Sequence, residues 1–378
     1  MKMKRYSRLC LSLVTSALAS VPVQAADEAR AVIPFPEEIM NNARPVPQEQ
    51  MERIYEEVQT PYKYGIIIKG GEGELVDCPN VFRHDGRWYM MFVANKDKIG
   101  YETHLAVSDD LLHWERLGRI LSFPEEDGWD KWQLDAGLAL FDYEWGGSAE
   151  IEKYDGRYWA TYIGGALQGY EPDPLSIGLA WTDNPGVAKE WVRYEGNPVL
   201  HREQADVRPF EAKTLYKSHV IHDPEERLGY PFVMYYNGKN AGPGGHEAIG
   251  MAVSNDMVHW QRYGENYVVY NGPDSRWSIS GDPQITRIGD LWVMFYFGAF
   301  WKPDAFDTFA CSYDMVNWTK WQGPHLIQPS EPWDRQFAHK QWIIKHEGVV
   351  YHYYCAVGDE GRVIALATSS PDLKKDQK

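Results

Sequence analysis

One ten-residue pattern occurs three times in this chain and constrains its fold more than any other feature. It reads apolar-Ala-x-Ser-x-Asp-apolar-x-x-Trp, and a degenerate copy starts at Leu179 and a truncated one at Leu366. A pattern that recurs along a chain indicates a repeated structural unit, because each copy builds the same local structure. The chain is therefore predicted to contain five such units. The complete copies are Leu105–Trp114, Met251–Trp260 and Phe309–Trp318.

A β-hairpin pattern precedes each copy. Two runs rich in β-branched and aromatic residues flank a tight turn, such as Asp85-Gly86 in the first unit and Asp155-Gly156 in the second. Such Asp-Gly pairs are strong hairpin signals. Each unit thus reads as a hairpin, a variable loop, a third strand, the Ser-x-Asp turn and an outer strand that ends at Trp. The hairpin segments begin at Asn80, Glu150, Thr214, Gln284 and Trp342.

Five such units predict an all-β fold. Five four-stranded antiparallel sheets arranged radially form a five-bladed β-propeller, which protects its strand edges by closing into a ring. The broad strand faces of this fold suit the 16 Trp and 24 Tyr residues of the chain. A two-sheet sandwich is the competing fold, but it does not explain one unit repeated five times. The predicted fold class is an all-β five-bladed β-propeller of four-stranded antiparallel blades, with a short N-terminal helical extension.

The N-terminal residues read as an export signal. Residues 1–8 carry four basic side chains, the apolar run Leu9–Val21 follows, and Val23-Gln24-Ala25 resembles a cleavage site. Residues 1–25 are therefore predicted to be a signal peptide, which implies a periplasmic or secreted protein. The apolar run is too short to span a bilayer, and no later segment has 18 consecutive apolar residues, so no membrane insertion is expected.

The rest of the chain divides around the repeat. Residues 26–61 are predicted to be an extension in which Gln48–Val58 has the apolar spacing of a helix. Residues 62–370 are assigned to the propeller catalytic domain, where Tyr64–Ile68 would be the strand that completes the fifth blade. Residues 371–378 form a charged tail. The sequence leaves the oligomeric state undecided.

Charge and cysteine content narrow the partners. A formal net charge of −16 argues against nucleic acid, which needs a basic surface. Three cysteines remain after residue 25, at positions 78, 311 and 355, and their spacing matches no zinc or CxxC pattern. Buried free thiols are therefore predicted in preference to a disulfide. No cofactor is expected; a structural calcium ion in the channel is the alternative.

Polar side chains stand where the innermost strand of each predicted blade begins. In a propeller these strands line the central channel, and their first residues open onto one face. The side chains are therefore expected to converge on a pocket. An Asp-Pro alone is an ordinary turn signal, so the convergence rather than any single residue is the evidence. The residues are Asp77, Glu150, Glu211, Asp282 and His339.

With these residues, the chain resembles the five-bladed glycoside hydrolases, the superfamily of families 32, 43, 62, 68, 117 and 130. The resemblance extends from about Asp77 over nearly the whole remaining chain, and rests on the blade turns, the Asp that opens blade one and the Glu211-Ala-Lys that opens blade three. Family 43 proper has Glu-Gly-Pro at this last position, and Asp77 is followed by Cys-Pro rather than by Pro directly. A family 117-like arrangement would use His339 as the acid.

The resemblance implies an exported glycoside hydrolase that cleaves a plant or algal oligosaccharide by inversion and in exo mode. It implies Asp77 as base or nucleophile and Glu211 as acid. A third carboxylate would raise the pKa of the acid; Asp282 is the candidate, with Glu150 as the alternative. Each carboxylate also has a structural interpretation: a turn for Asp77 and Asp282, and an ion pair with Arg208 or Lys213 for Glu211.

Other polar and aromatic residues are candidates for binding an oligosaccharide substrate. Charged and amide side chains bind sugar hydroxyls, and aromatic rings stack on the apolar faces of sugars. No metal ligands are predicted among them. The candidates are Glu150, His339, Lys340, Arg208, Tyr101, Glu102, Asn237 and Trp301.

Two other functions remain open. A mannoside phosphorylase-like enzyme would need a basic cluster for phosphate, for which Arg208, Lys213 and Lys340 are the available residues. A non-catalytic carbohydrate-binding propeller would need no acid/base pair. The carboxylates at the strand starts favour the hydrolase.

Overall fold

The computed structural model describes residues 30–242 and 244–373. The predicted signal peptide lies outside the described residues, as does most of the charged tail. The described chain forms a ring of five antiparallel β-sheets preceded by two helices, which confirms the predicted fold class. The helices are α1 (Glu37–Asn41) and α2 (Gln48–Val58), and a 3₁₀ turn spans Pro209–Glu211. Neither helix has the length and apolar composition needed to cross a lipid bilayer.

The strands follow the predicted order, blade by blade from the channel outward. Blade one contains β2 (Glu74–His84), β3 (Arg87–Lys96), β4 (Tyr101–Ser108) and β5 (Glu115–Leu121). Blade two contains β6 (Gln133–Leu138), β7 (Lys153–Tyr154), β8 (Arg157–Gly165), β9 (Ser176–Thr182) and β10 (Val192–Arg193). Blade three contains β11 (Thr214–His222), β12 (Phe232–Lys239), β13 (Gly245–Ser254) and β14 (Gln261–Tyr263). Blade four contains β15 (Trp277–Ile288), β16 (Leu291–Ala299), β17 (Ala305–Ser312) and β18 (Thr319–Lys320).

Blade five joins the two ends of the domain. Its strands are β19 (Phe337–His346), β20 (Val349–Gly358), β21 (Gly361–Thr368) and, from the start of the domain, β1 (Tyr62–Ile68). Strand β1 pairs antiparallel with β21, from Tyr62 opposite Thr368 to Ile68 opposite Ile364. The prediction that the segment around 64–68 completes this blade is confirmed.

The repeated motif folds into the same turn in all three complete copies. In the first, the Asp110 carboxylate accepts the backbone N–H groups of Leu112 and His113. Leu111 adopts a left-handed conformation (φ 67°), and its carbonyl accepts the indole N–H of Trp114. The later copies repeat these contacts around Met257 and Met315.

The motif tryptophan stands before the outer strand instead of ending it. Strand β5 starts at Glu115, one residue after Trp114, and β14 starts at Gln261, one residue after Trp260. The indole is held by the turn, because its N–H is bonded to the carbonyl three residues earlier. The predicted position of the outer strand was therefore wrong by one segment.

Three inner strands share a β-bulge at their pocket end. The register breaks after Asp77 in β2, after Gly281 in β15 and after His339 in β19. At each break one residue takes a positive φ: Cys78 (53°), Asp282 (51°) and Lys340 (59°). A bulge re-aims a side chain, so these breaks turn polar groups toward the channel.

Blade two departs from the prediction. Its inner strand at the pocket end is β6, which pairs with β8 from Gln133 opposite Gly165, whereas the predicted segment at Glu150 belongs to the far end of the blade. Residues 139–152 make an excursion before β7 resumes the pairing with β8. The hairpin signal at Asp155-Gly156 was correct, but an insertion separates it from the pocket end of its strand.

The extension packs on the outside of the ring. Met51, Ile54 and Val58 of α2 are buried, as its apolar spacing predicts, and Tyr55 stacks on Trp321 with ring centroids 5.2 Å apart. The three described cysteines are free and buried, which confirms that prediction.

Candidate active site

A central pocket of about 270 Å³ opens where the bulged inner strands meet. Every blade contributes to it, and its walls combine four carboxyl groups with three cationic side chains. A larger groove of about 980 Å³ lies between α2 and blade five, but Glu331 is the one carboxylate among its described lining residues. The central pocket is therefore the candidate site. Its charged residues are Asp135, Glu171, Lys217, Glu247, Asp282, Lys340 and Arg362.

Asp77 lies behind one wall of this pocket and is fully buried. Its Oδ2 accepts hydrogen bonds from the Tyr101 and Tyr170 hydroxyls (3.2 and 3.1 Å) and ion pairs with Lys340 and Arg362 (3.2 and 3.1 Å). Burial raises the pKa of Asp77, but the two cations outweigh burial and hold that pKa well below its usual value. Asp77 is therefore an ionised anchor.

Lys340 connects this anchor to the pocket. Its ammonium group is 2.9 Å from Glu171 Oε1, 3.2 Å from Asp77 Oδ2 and 3.7 Å from Cys78 Sγ. These three residues present potential metal-ligand atoms within 4.8 Å of one another. A side-chain cation already touches all three, so Lys340 supplies the positive charge that such a cluster attracts.

Asp135 and Lys217 form a second ion pair at the pocket, between blades two and three. The pair is buried, and Asp135 Oδ2 has no hydrogen-bond partner among the described residues. A buried carboxylate oxygen without a donor favours a ligand hydroxyl or a water molecule at that position.

Glu247 is the pocket carboxyl group with the weakest cationic support. It lies on β13, its Oε2 accepts a hydrogen bond from Asn237 Nδ2 (3.0 Å), and Lys239 is 3.7 Å from Oε1. Burial, reinforced by the charges of Glu171 and Asp282, raises the pKa of Glu247 to about 8. This side chain therefore carries a proton at neutral pH.

Asp282 has an intermediate character. Burial raises its pKa to about 7, while Lys340 and Lys217 oppose that shift. Near neutral pH its charge thus responds to small changes in its surroundings. Its position at the bulge of β15 was anticipated from the Gly-Asp-Pro sequence.

Glu211, the predicted acid, is not brought to this pocket. The 3₁₀ turn directs it to a buried cluster where Oε1 accepts from Arg208 Nε (3.1 Å) and from Arg262, and Oε2 accepts from Tyr236. Burial raises the pKa of Glu211, but Arg208 and Arg262 outweigh burial and lower it. Lys217, three residues into β11, takes the blade-three position at the pocket.

The predicted binding residues divide into two sets. His339, Lys340 and Asn237 line the pocket, and Tyr101 contacts Asp77 from behind. Burial lowers the pKa of His339 to about 3, so its imidazole is neutral at pH 7 and cannot donate a proton as an imidazolium.

The other set lies elsewhere. Arg208 binds Glu211, Glu102 pairs with Arg119 (3.0 Å), and Glu150 bridges to Arg83 near the far end of β2. Trp301 donates its indole N–H to the Ile279 carbonyl, while its neighbour Phe300 lines the pocket and is 57% exposed.

Sequence reasoning missed most of the pocket's charged residues. Lys217 and Asp135 lie on inner strands, and a correct start for β6 would have identified Asp135. Glu171 belongs to the loop between β8 and β9, and Glu247 to the third strand of blade three, for which the sequence carries no signal. The missed charged residues are Asp135, Glu171, Lys217, Glu247 and Arg362.

Comparison with known proteins gives close and distant similarities. No protein-family model matches the sequence. Two solved structures, one described as a "Glycoside hydrolase" and one as a complex of BT0996 with RGII, are each 46% identical to the chain, cover 88% of it and 98% of their own length, and superpose with a TM-score of 0.83. A thermostable family-43 glycoside hydrolase is 15% identical, covers 82% of this chain and 96% of its own with a TM-score of 0.60, and shares the fold alone.

Among curated proteins, the beta-1,2-mannobiose phosphorylase of Thermoanaerobacter sp. (strain X514) is 26% identical over 136 residues. The match covers 36% of this chain and spans 44% of that relative's length. This similarity concerns less than half of either protein.

Proposed function

Because the chain belongs to the five-bladed β-propeller glycoside hydrolases, we propose that it releases a terminal sugar from a plant-type glycan such as RGII, with Glu247 as the proton donor and Glu171 as its ionised partner. One observation carries this assignment. The pocket holds one carboxyl group that is protonated at neutral pH beside another that is paired with a lysine. Environments that push two carboxyl groups apart in this way define an acid and its counterpart.

Glu247 meets the requirements of the acid. Glycosidic cleavage needs a proton on the leaving oxygen. A donor with a pKa of about 8 is protonated at pH 7 and still transfers its proton readily. The amide of Asn237 holds one carboxyl oxygen, which orients the group.

Glu171 is the better placed of the two lysine-paired carboxylates to act on water or on the anomeric carbon. Its side chain lines the pocket and retains 15% exposure, whereas that of Asp77 is fully enclosed. Asp77 Oδ2 already accepts from four donors, so it has no lone pair left for a water molecule on that atom. We assign Asp77 to holding Lys340, and through it Glu171.

The size of the pocket supports exo action. At about 270 Å³ it is near the lower end of the roughly 300–1,000 Å³ of ligand pockets, which suits one terminal sugar better than an internal stretch of chain. The exposed ring of Phe300 lies on the pocket wall, where it could stack on the sugar. We keep inversion as the proposed stereochemistry, and proton NMR of the first-formed anomer tests it.

A phosphorylase reaction is disfavoured by how the pocket cations are used. Lys217 pairs with Asp135, while Lys340 and Arg362 pair with Asp77. An incoming phosphate would have to displace one of these buried pairs. A rate that rises with added phosphate, with a sugar phosphate as product, would favour the phosphorylase.

The test compares four proteins on aryl glycosides and on oligosaccharides prepared from RGII. Wild type and Glu203→Gln, a change at a glutamate whose side chain is 76% exposed, should release a sugar at equal rates. Glu247→Gln and Glu171→Gln should each lose at least about a hundredfold in turnover. Sugar binding without turnover in wild type would favour a non-catalytic propeller, and full activity in both pocket variants would refute the acid/base assignment.

We further propose export, on the sequence of residues 1–25 alone. Amino-terminal sequencing of the protein purified from its native host should begin near residue 26. An intact amino terminus on cytosolic protein would contradict it.

A further inference from the structure

A second pocket of about 350 Å³ lies beside the central one on blade three. It shares no lining residue with the central pocket among the described residues. The two are separated by β13, in which His246 lines the second pocket and the next residue, Glu247, lines the first. Adjacent side chains of a strand point to opposite faces, so one strand's thickness separates the second pocket from the proposed acid.

A row of four rings lines the second pocket. Phe210 and Tyr267 meet edge to face with centroids 6.0 Å apart, Tyr267 and Tyr270 are 4.9 Å apart, and Tyr270 and His246 are 6.1 Å apart. Tyr267 is 38% exposed, and its hydroxyl has no hydrogen-bond partner among the described residues. A ring left open to solvent in this way is available to a ligand.

Polar groups complete the pocket without supplying positive charge. Asn240 and Asn266 offer amides, and Glu265 offers a carboxylate. The Ser278 and Tyr270 hydroxyls both approach His246 Nδ1, at 2.9 and 3.2 Å, which leaves Nε2 as the donor. Among the described residues that line this pocket there is no Lys or Arg, in contrast to the central pocket.

We propose that this second pocket binds a neutral sugar residue of a glycan. Aromatic faces combined with amide and imidazole groups match the apolar C–H face and the hydroxyls of a neutral sugar. The absence of a cation among the described lining residues disfavours phosphate and uronic acids. That the sugar belongs to a glycan rests on the proposed function; the neutral class follows from the pocket itself.

The experiment is saturation-transfer NMR and calorimetry with neutral methyl glycosides of a pentose, a hexose and a 6-deoxyhexose. At least one should bind wild type, and Tyr267→Ala should weaken that binding about tenfold, the effect of losing one aromatic contact. Tyr267→Phe keeps the ring and should lose less. The control is Leu117→Ala, which removes a side chain of similar exposure (39%) on blade one and should leave affinity unchanged.

Three outcomes would overturn the proposal: no neutral glycoside binds, affinity is the same in a folded Tyr267→Ala protein, or wild type dimerises and Tyr267→Ala abolishes the dimer. The proposed function fails separately. Binding that depends on Tyr267 without hydrolysis of any glycan refutes only the hydrolase, and hydrolysis that depends on Glu247 without Tyr267-dependent binding refutes only the second site.

Discussion

Glu211 and Glu247 are two buried glutamates of the same blade with opposite electrostatic environments. Glu211 is fully buried and Glu247 is 7% exposed. Glu211 contacts two arginines and a tyrosine hydroxyl, whereas Glu247 contacts one amide and has a lysine at 3.7 Å. Burial alone would raise the pKa of both. The arginines reverse that effect at Glu211, and nearby carboxylates reinforce it at Glu247.

The comparison teaches that burial does not identify a catalytic acid. The decisive quantity is the balance between burial and charged partners, because opposite charges favour the ionised form and like charges disfavour it. Glu211 is built to stay charged and to hold blade three together. Glu247 is built to keep its proton.

The largest expected effect is on turnover in Glu247→Gln. Loss of a general acid costs about 10²–10⁴-fold in rate. Because the glutamine resembles the protonated glutamic acid, the free energy of unfolding should change by less than about 1 kcal/mol. Steady-state kinetics and chemical unfolding measure the two quantities. A large loss of stability with little loss of turnover would break the comparison.

The same substitution at Glu211 should do the reverse. Glu211→Gln leaves Arg208 without its carboxylate and Arg262 with Asp206 alone, so stability should fall by about 3 kcal/mol. At a temperature where the variant is folded, turnover should remain close to that of wild type. If the folded variant instead loses turnover about a thousandfold, Glu211 is the acid.

The two glutamates should also impose opposite slopes on stability against pH. Glu247 has a raised pKa in the folded state, so the folded protein holds the extra proton and stability falls as pH rises from about 4.5 toward 8. Glu211 has a lowered folded pKa, so its contribution is present above the unfolded value and is lost on acidification below it.

Unfolding by urea across pH 3–9 tests both slopes. Glu247→Gln should flatten the decline on the neutral side by about 1–3 kcal/mol, and Glu211→Gln should flatten the loss on the acidic side. Identical profiles for the two variants would contradict the comparison.

The smallest expected effect is a shift of the pH profile in Asp282→Asn. The charge of Asp282 helps to raise the pKa of Glu247. Its removal should move the alkaline limb of kcat/KM to lower pH by about 0.5–1 unit, since acids lacking a like-charged neighbour ionise more easily. An unchanged limb would show that burial and Glu171 account for the raised pKa.

Much of the fold was predictable because its signals are local. The Ser-x-Asp turn is held by contacts within seven residues, and the helix at Gln48–Val58 carries its apolar face in its own sequence. Even the closing strand β1 could be placed, since the fifth unit lacked an outer strand.

The site was predictable only where the inner strands follow the repeat. Asp282, His339 and Lys340 stand at bulges in strands whose starts were read correctly. In blade two the excursion at 139–152 hid β6, so Glu150 was chosen in place of Asp135. In blade three the 3₁₀ turn directs Glu211 away from the channel.

The sequence by itself determined the ring of five blades, because repeated turns and hairpins need only neighbours along the chain. Only the tertiary structure decided which carboxyl groups meet and which of them keeps a proton. Glu171 comes from a loop of blade two, Glu247 from the third strand of blade three and Lys340 from blade five. A pKa depends on burial and on charges brought from distant parts of the chain, and neither is written in the residues beside a glutamate.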